Sequence, residues 1–342
     1  MVPFTKEHIA AFTGRLQSAS RIVITAHVHP DGDAVGSTTA LLSYLTEALH
    51  KDACVVLPDD CADSIRFVIP EAFKDRVRFG AAAAEEAVRG CDTIFCLDCN
   101  GFSRTEGLRK ALEASPAFKI LVDHHVGPER ESFGLVFSET EVSSTCELLY
   151  WLLTGVAGSP AALPGTCATA LMAGMTTDTN NFANSVFPTT FEMASGLLSA
   201  GVDRASILEH LYNNYGENRI RLMGHALQDL LTITPEGAAC VILKAEDIRR
   251  YGIREGDTEG FVNIPLAIAK VRISLFLKEE DGIFRVSIRA RRGVSARSLA
   301  TRFFHGGGHE LAAGGKVLIP GDIPSREEID AHIQNILKDF RG

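Results

Sequence analysis

Aromatic side chains are scarce in this sequence: they make up 7% of it, with a single tryptophan, Trp151. Proteins that grip long single strands combine stacking aromatics with an extended basic groove. The composition favours neither, because 34 basic residues face 43 acidic ones for a net charge of −9. That balance argues equally against a blanket electrostatic hold on an anionic membrane. Long apolar runs are missing too. A spanning helix needs about 20 unbroken apolar residues. Leu148 to Thr177 carries no charge, but Gly155, Gly158, Pro160, Pro164 and Gly165 cut it, so it reads as two buried helices around a turn. The N-terminal segment holds Lys6 and Glu7 and has no apolar h-region, which argues against a secretory leader. The expected location is the cytoplasm, where the eight cysteines stay free thiols. Cys96-Leu97-Asp98-Cys99 has C-x-x-C spacing, and no second pair completes a zinc site. On a strand, residues three apart point to opposite faces, so both cysteines read as buried structural thiols.

What is present suffices for about two domains: 342 residues, 46% hydrophobic and 23% charged. Helix and strand alternate through the first part. Thr5 is placed to cap a helix to about Ser18, Arg21–Thr25 is a β-branched strand, and a helix is expected from about Gly36 to His50. Ala53–Leu57, Thr93–Leu97 and Phe118–Val122 are further strands. The fold class expected is α/β: a mainly parallel sheet with helices on both faces over residues 1–190, then a smaller α/β domain over 233–342. Residues 191–232 read as a helical connector, with Phe191, Ala194, Leu197 and Leu198 at helical spacing. In the second domain, 270–278 and 283–290 form strands joined by a Glu-Glu-Asp-Gly turn.

In parallel sheets, ligands sit beyond the carboxyl ends of the strands. There the loop after the first strand reads His27-Val-His-Pro-Asp31-Gly-Asp33-Ala-Val-Gly36. Carboxylates this crowded repel one another unless cations or protons neutralise them. Oxygen plus imidazole ligation suits a divalent metal such as Mn²⁺. The same signal recurs where Asp98 ends one strand, where Asp123-His124-His125 ends another, and where Asp178 follows an apolar helix. Any one of these could be a surface turn or a cap. Four at one sheet edge make a ligand set large enough for two metals that share a carboxylate, as in phosphoryl displacement.

These four segments, in their order and spacing, resemble the metal motifs of the DHH phosphoesterase superfamily. Gly306-Gly307-Gly308-His309-Glu-Leu-Ala312-Ala313-Gly314 resembles the glycine-rich motif of its DHHA1 substrate domain. The size and two-domain plan are similar to its nano-RNase/pAp-phosphatase branch. The resemblance implies that His27, Asp31 and Asp98 hold one metal. It implies that Asp33, Asp98, His124 and Asp178 hold the other, with Asp98 bridging and Mn²⁺ as the usual ion. It casts Asp123 as an orienting neighbour, His125 as proton donor or charge stabiliser at the leaving oxygen, and a metal-bridging hydroxide as nucleophile. His29 reads as a bystander or as an outer neighbour of the metals. Two departures stand out: Asn180 where the family often has Gly, which Asn's tolerance of positive φ accommodates, and Ala290 where it often has Ser.

Between Val271 and Phe304 there are eight basic and three acidic residues. Most read as a solvated face. Arg289, with the backbone N–H groups of Gly306, Gly307, Gly308 and His309, reads as a phosphate clamp, with Arg289 and His309 as the substrate-phosphate contacts. The expected substrates are short RNA or DNA oligonucleotides, linear dinucleotides or nucleotide bisphosphates, acted on by a monomer or homodimer. A RecJ-like exonuclease, a pyrophosphatase or exopolyphosphatase, and a non-catalytic nucleotide sensor are the alternatives.

Overall fold

The computed structural model describes residues 4–254 and 256–338. Residues 1–3 of the segment weighed as a leader, and 339–342 of the expected second domain, lie outside the described residues. Two compact units divide the chain, Met1–Asn214 and Tyr215–Gly342.

The first unit is built on a six-stranded sheet of β1 (Arg21–Thr25), β2 (Asp52–Leu57), β3 (Val77–Phe79), β4 (Thr93–Leu97), β5 (Phe118–Asp123) and β6 (Leu135–Ser138). Its order is β3-β2-β1-β4-β5-β6, with every pairing parallel. The chain winds outward from β1 in one direction and from β4 in the other, so the topological switch lies between β1 and β4. Helices cover both faces: α1 (Lys6–Ser18), α2 (Gly32–Ser43), α3 (Ala81–Val88), α4 (Arg109–Ala114), α5 (Thr145–Ala157), α6 (Gly165–Asp178), α7 (Pro188–Ser199) and α8 (Arg204–Tyr212). Alternation along the strands feeds two cores. Ile22, Ile24, Phe95, Leu97, Ile120 and Val122 pack with α1, α2, α5 and α6, while Val23, Ile94, Cys96 and Leu121 face the α3 and α4 side. The uncharged stretch is the α5–α6 pair, turned at Gly158 in the left-handed region. Among the described residues, no helix is long and apolar enough to cross a membrane.

Three local expectations need correction. Helix α2 starts four residues earlier than Gly36, because the Asp31 side chain accepts from the N–H groups of Asp33 and Ala34 and caps it there. Cys96 and Cys99 do not point apart. The strand stops at Leu97, Asp98 sits at φ 54°, and the reversal brings the two fully buried sulfurs to 2.7 Å. Both remain free thiols. In α7 the buried stripe is Thr190, Met193, Ala194 and Leu197, which leaves Phe191 and Leu198 exposed.

The second unit holds a six-stranded mixed sheet of β7 (Thr232–Ile233), β8 (Ala238–Leu243), β9 (Ile273–Glu280), β10 (Ile283–Ala290), β11 (Gly307–Gly308) and β12 (Ala312–Leu318), in the order β11-β12-β10-β9-β8-β7. Its helices are α9 (Glu217–His225), α10 (Ala245–Tyr251), α11 (Ala296–Phe303) and α12 (Ile329–Lys338). The β9–β10 hairpin turns on Asp281 and Gly282, both at positive φ, as a type I′ turn requires. The stretch read as a connector is divided: α7 and α8 belong to the first unit and α9 to the second.

Candidate metal centre

Two features place the acidic side chains of the first unit. The loop from β1 and the end of β4 flank the switch point, which sets His27 and Asp98 side by side. Helices α2 and α6 then pack so closely that a Cβ on Gly36 would lie 2.8 Å from the Ala170 carbonyl oxygen and 2.9 Å from Gly174 Cα. That approach carries Asp33, in the first turn of α2, toward Asp178, the last residue of α6.

The result is one continuous cluster. His27 Nε2 lies 3.4 Å from Asp98 and 3.8 Å from Asp31. His124 Nε2 lies 3.6 Å from both Asp98 and Asp178. Three groups bring one donor atom per residue within 4.8 Å of each other: His27, Asp31 and Asp98; Asp33, His124 and Asp178; and Asp98, His124 and His125. Asp98 belongs to two of them. Donors bound about 2.1 Å from one ion stand between about 3 and 4 Å apart, so the observed separations suit ligands of a common ion better than direct hydrogen bonds. His27 Nδ1 contacts the Val28 carbonyl at 2.7 Å, leaving Nε2 for the cluster.

Electrostatics agree with a cation-binding set. Burial and the Asp98 charge push the Asp33 carboxyl up to about 7. Burial, then Asp33 and Asp98, drive Asp178 well above the carboxylate range. Burial would lower the His27 imidazolium, but contacts with Asp31 and Asp98 lift it to about 11. Burial pulls His124 down, toward the neutral form that binds metals. Burial and the neighbouring carboxylates outweigh the opposing imidazoles and so favour the protonated form of Asp33 and Asp178, and divalent ions would displace those protons.

Asp123 is fully buried. It accepts from the His125 backbone N–H at 3.0 Å and lies 2.8 Å from His125 Nδ1. Burial lowers the His125 imidazolium, and the bond to Asp123 and the Asp98 charge more than restore it; Arg104 pushes the other way. His29 pairs instead with Asp59 at 3.4 Å, and more than half of its side chain is exposed.

The sequence reading missed the start of α5. The backbone N–H groups of Thr145 and Cys146 donate to the two Asp33 oxygens at 2.7 and 2.9 Å, and the Thr145 hydroxyl donates to Asp98 at 2.9 Å. A helix N-terminus thus holds one carboxylate while its first side chain holds another. The signal was present: Ser144-Thr-Cys-Glu147 has the S-x-x-E form of a helix start.

In the second unit, Arg289 lies in β10. Burial lowers its guanidinium, and no ion pair joins it to a carboxylate among the described residues. The glycine-rich motif is a tight β11–β12 pairing, in which a Cβ on Gly308 would lie 2.7 Å from the Ala312 oxygen. This corrects the clamp of four N–H donors. Gly306 N–H already donates to Ala300 and His309 N–H to Ala312. Gly307 is also paired, with Gly314, which leaves Gly308 and His309, both exposed, as the candidates of this motif.

Residues 21–175 match the family described as "DHH family, N-terminal domain", and residues 237–339 match "DHHA1 domain". The bifunctional oligoribonuclease and PAP phosphatase NrnA of Thermus thermophilus is 32% identical over 86% of this chain and 83% of its own length. This chain belongs to the DHH family. The Bacillus subtilis protein of the same name is 27% identical over 86% of this chain and 89% of its own. An exopolyphosphatase-related protein from Bacteroides fragilis superposes with a TM-score of 0.90 at 33% identity, covering 98% of this chain and 97% of its own.

Proposed function

We propose that this chain hydrolyses phosphoester bonds in short oligoribonucleotides and in nucleoside bisphosphates such as 3′-phosphoadenosine 5′-phosphate, with two divalent ions, Mn²⁺ first among them. The carrying observation is the gathering of His27, Asp31, Asp33, Asp98, His124 and Asp178 at the switch point of a parallel sheet. His27, Asp31 and Asp98 would hold one ion; Asp33, His124, Asp178 and the shared Asp98 would hold the other. Divalent ions bound there would supply Lewis-acid charge and lower the pKa of a coordinated water. Asp123 fixes the His125 ring through Nδ1, so His125 would present its far edge to the scissile phosphate and pass a proton to the leaving oxygen. Thr145 and the α5 N-terminus orient Asp98 and Asp33. Arg289, a desolvated cation, would take a substrate phosphate on the second unit, with Gly308 and His309 beside it.

The substrate class rests on the relatives named as both oligoribonuclease and PAP phosphatase. It rests also on a net acidic chain with a locally basic stretch between Val271 and Phe304. The eight free thiols support a cytoplasmic setting, and the expected form is a monomer or homodimer. Polyphosphate or pyrophosphate hydrolysis is the second reading, kept by the name of the Bacteroides fragilis structure. A Mn²⁺-supplemented panel decides between them: a 5′-labelled RNA dinucleotide, a 24-mer RNA, 3′-phosphoadenosine 5′-phosphate, polyphosphate and pyrophosphate, each with wild type and Asp98→Ala. Cleavage of the dinucleotide or the bisphosphate, lost in the variant, is expected. Turnover of polyphosphate or pyrophosphate alone overturns the substrate class. Full activity in Asp98→Ala overturns the shared-ligand role.

A further inference from the structure

The segment leaving Asp178 is built in an unusual way. Asn180, Asn181 and Phe182 are consecutive non-glycine residues at φ 46°, 56° and 67°, and Ser185 follows at 49°. Non-glycine residues held in the left-handed region persist only where surrounding bonds fix them, and they cluster at ligand sites. Here the fixing bonds run back to α6 and its cap: Asn180 N–H to the Thr177 carbonyl, Asn181 N–H to the Thr176 carbonyl and Phe182 N–H to the Thr179 hydroxyl.

What this backbone presents is an aromatic pair. The Phe182 and Phe191 rings are parallel within 8°, with centroids 5.3 Å apart. Phe182 is partly buried against the core and so gives the pair a rigid base. Phe191 is 57% exposed, although its helical neighbours Thr190, Met193 and Ala194 are buried. The Arg204 guanidinium lies 5.5 Å from the Phe182 centroid and donates to the Asn181 side chain. Phe182 is four residues beyond Asp178, so their Cα atoms are at most about 15 Å apart.

We propose that Phe182 and Phe191 form a stacking platform for a nucleobase of the substrate, next to the Asp178 corner of the metal cluster, with Arg204 holding the loop and adding positive charge. This rests on the phosphoester reading above and assigns the base a place in the first unit. Stacking on an aromatic face tolerates any base, because every base has a π-face. The platform therefore predicts a requirement for a base without a preference among the four.

The test compares an RNA dinucleotide with the same dinucleotide lacking its bases, using wild type, Phe191→Ala and Phe191→Tyr in the full chain with Mn²⁺. In Phe191→Ala the ratio of KM for the base-bearing substrate to KM for the abasic one should rise about five- to hundredfold. Phe191→Tyr, which keeps a ring, should restore it. An unchanged ratio overturns the platform. In parallel, calorimetric titration compares AMP with ribose 5-phosphate, which needs no turnover. Tighter binding of AMP by wild type, lost in Phe191→Ala, supports the platform even if no substrate is cleaved and the phosphoester reading fails. Equal binding of the two ligands by wild type overturns the platform whatever the enzyme hydrolyses.

Discussion

Replacing Thr145 by valine removes a single hydroxyl from the centre of the site and keeps the side chain's shape. That hydroxyl donates to Asp98 at 2.9 Å, and both residues are buried, Asp98 to within 2% of full burial. The backbone N–H of residue 145 still reaches Asp33, so the start of α5 keeps its main anchor. A hydrogen bond to a charged group contributes about 1.5–3 kcal/mol. The loss falls on the carboxylate that the two ligand groups share, which is worth about ten- to hundredfold in ion affinity. Mn²⁺ titration of the metal-free protein by calorimetry measures it, with circular dichroism as the control for folding. Thr145→Ser, which keeps the hydroxyl, should bind within a few-fold of wild type. Wild-type affinity in a folded Thr145→Val, or a serine variant as weak as the valine one, would show that the hydroxyl does not position Asp98.

Two further outcomes follow from the electrostatics. Burial and the Asp98 charge raise the Asp33 carboxyl to about 7, and burial and the Asp33 charge raise Asp178. Between about pH 4 and 7 the unfolded chain therefore binds fewer protons there than the folded one, so the metal-free protein should lose stability as pH rises through that window. His27, raised to about 11, stabilises below its unfolded pKa near 6.5, and that contribution fades above it. Thermal melts in chelator at pH 5 and 7.5 should show a fall that Mn²⁺ abolishes; a Tm that rises with pH in chelator contradicts the assignment. Asp123→Asn weakens the contact that raises His125, so the alkaline limb of the kcat profile should move to lower pH with little change in KM. A pH–rate series checks this, and an unmoved limb removes His125 as the proton donor.

The parallel sheet was legible because β-branched runs alternate with helical patterns. The ligand candidates were legible because polar residues follow apolar strands abruptly: His27 after β1, Asp98 after β4, His124 after β5. What escaped depends on single-residue rotations and on backbone reversals. In α7 the apolar spacing marks Phe191 and Leu198 as well as Ala194 and Leu197. One residue is a 100° turn about the helix axis, and the core takes the stripe through Met193 instead. The Cys96–Cys99 contact hangs on one positive φ at Asp98. The Thr145 contact joins residues 47 apart in sequence and is visible only once α5 has returned over the sheet. In the glycine-rich motif, composition suggested free N–H donors, while the Ala300 carbonyl of α11 and the β11–β12 turn had already taken those of Gly306 and His309.

The N-terminus of α5 holds Asp33, and α5 comes after the last strand of the parallel sheet. The candidate ligands themselves run from residue 27 to residue 178, on both sides of that helix. A chain still emerging from the ribosome therefore presents scattered carboxylates but no complete cage until α6 has been made and packed on α2. An ion that recognises only the finished cage stabilises the folded unit by mass action, about 2.7 kcal/mol at a free concentration a hundred times its dissociation constant. If such an ion is bound, its supply would bear on the stability of newly made chains as well as on the turnover of mature ones.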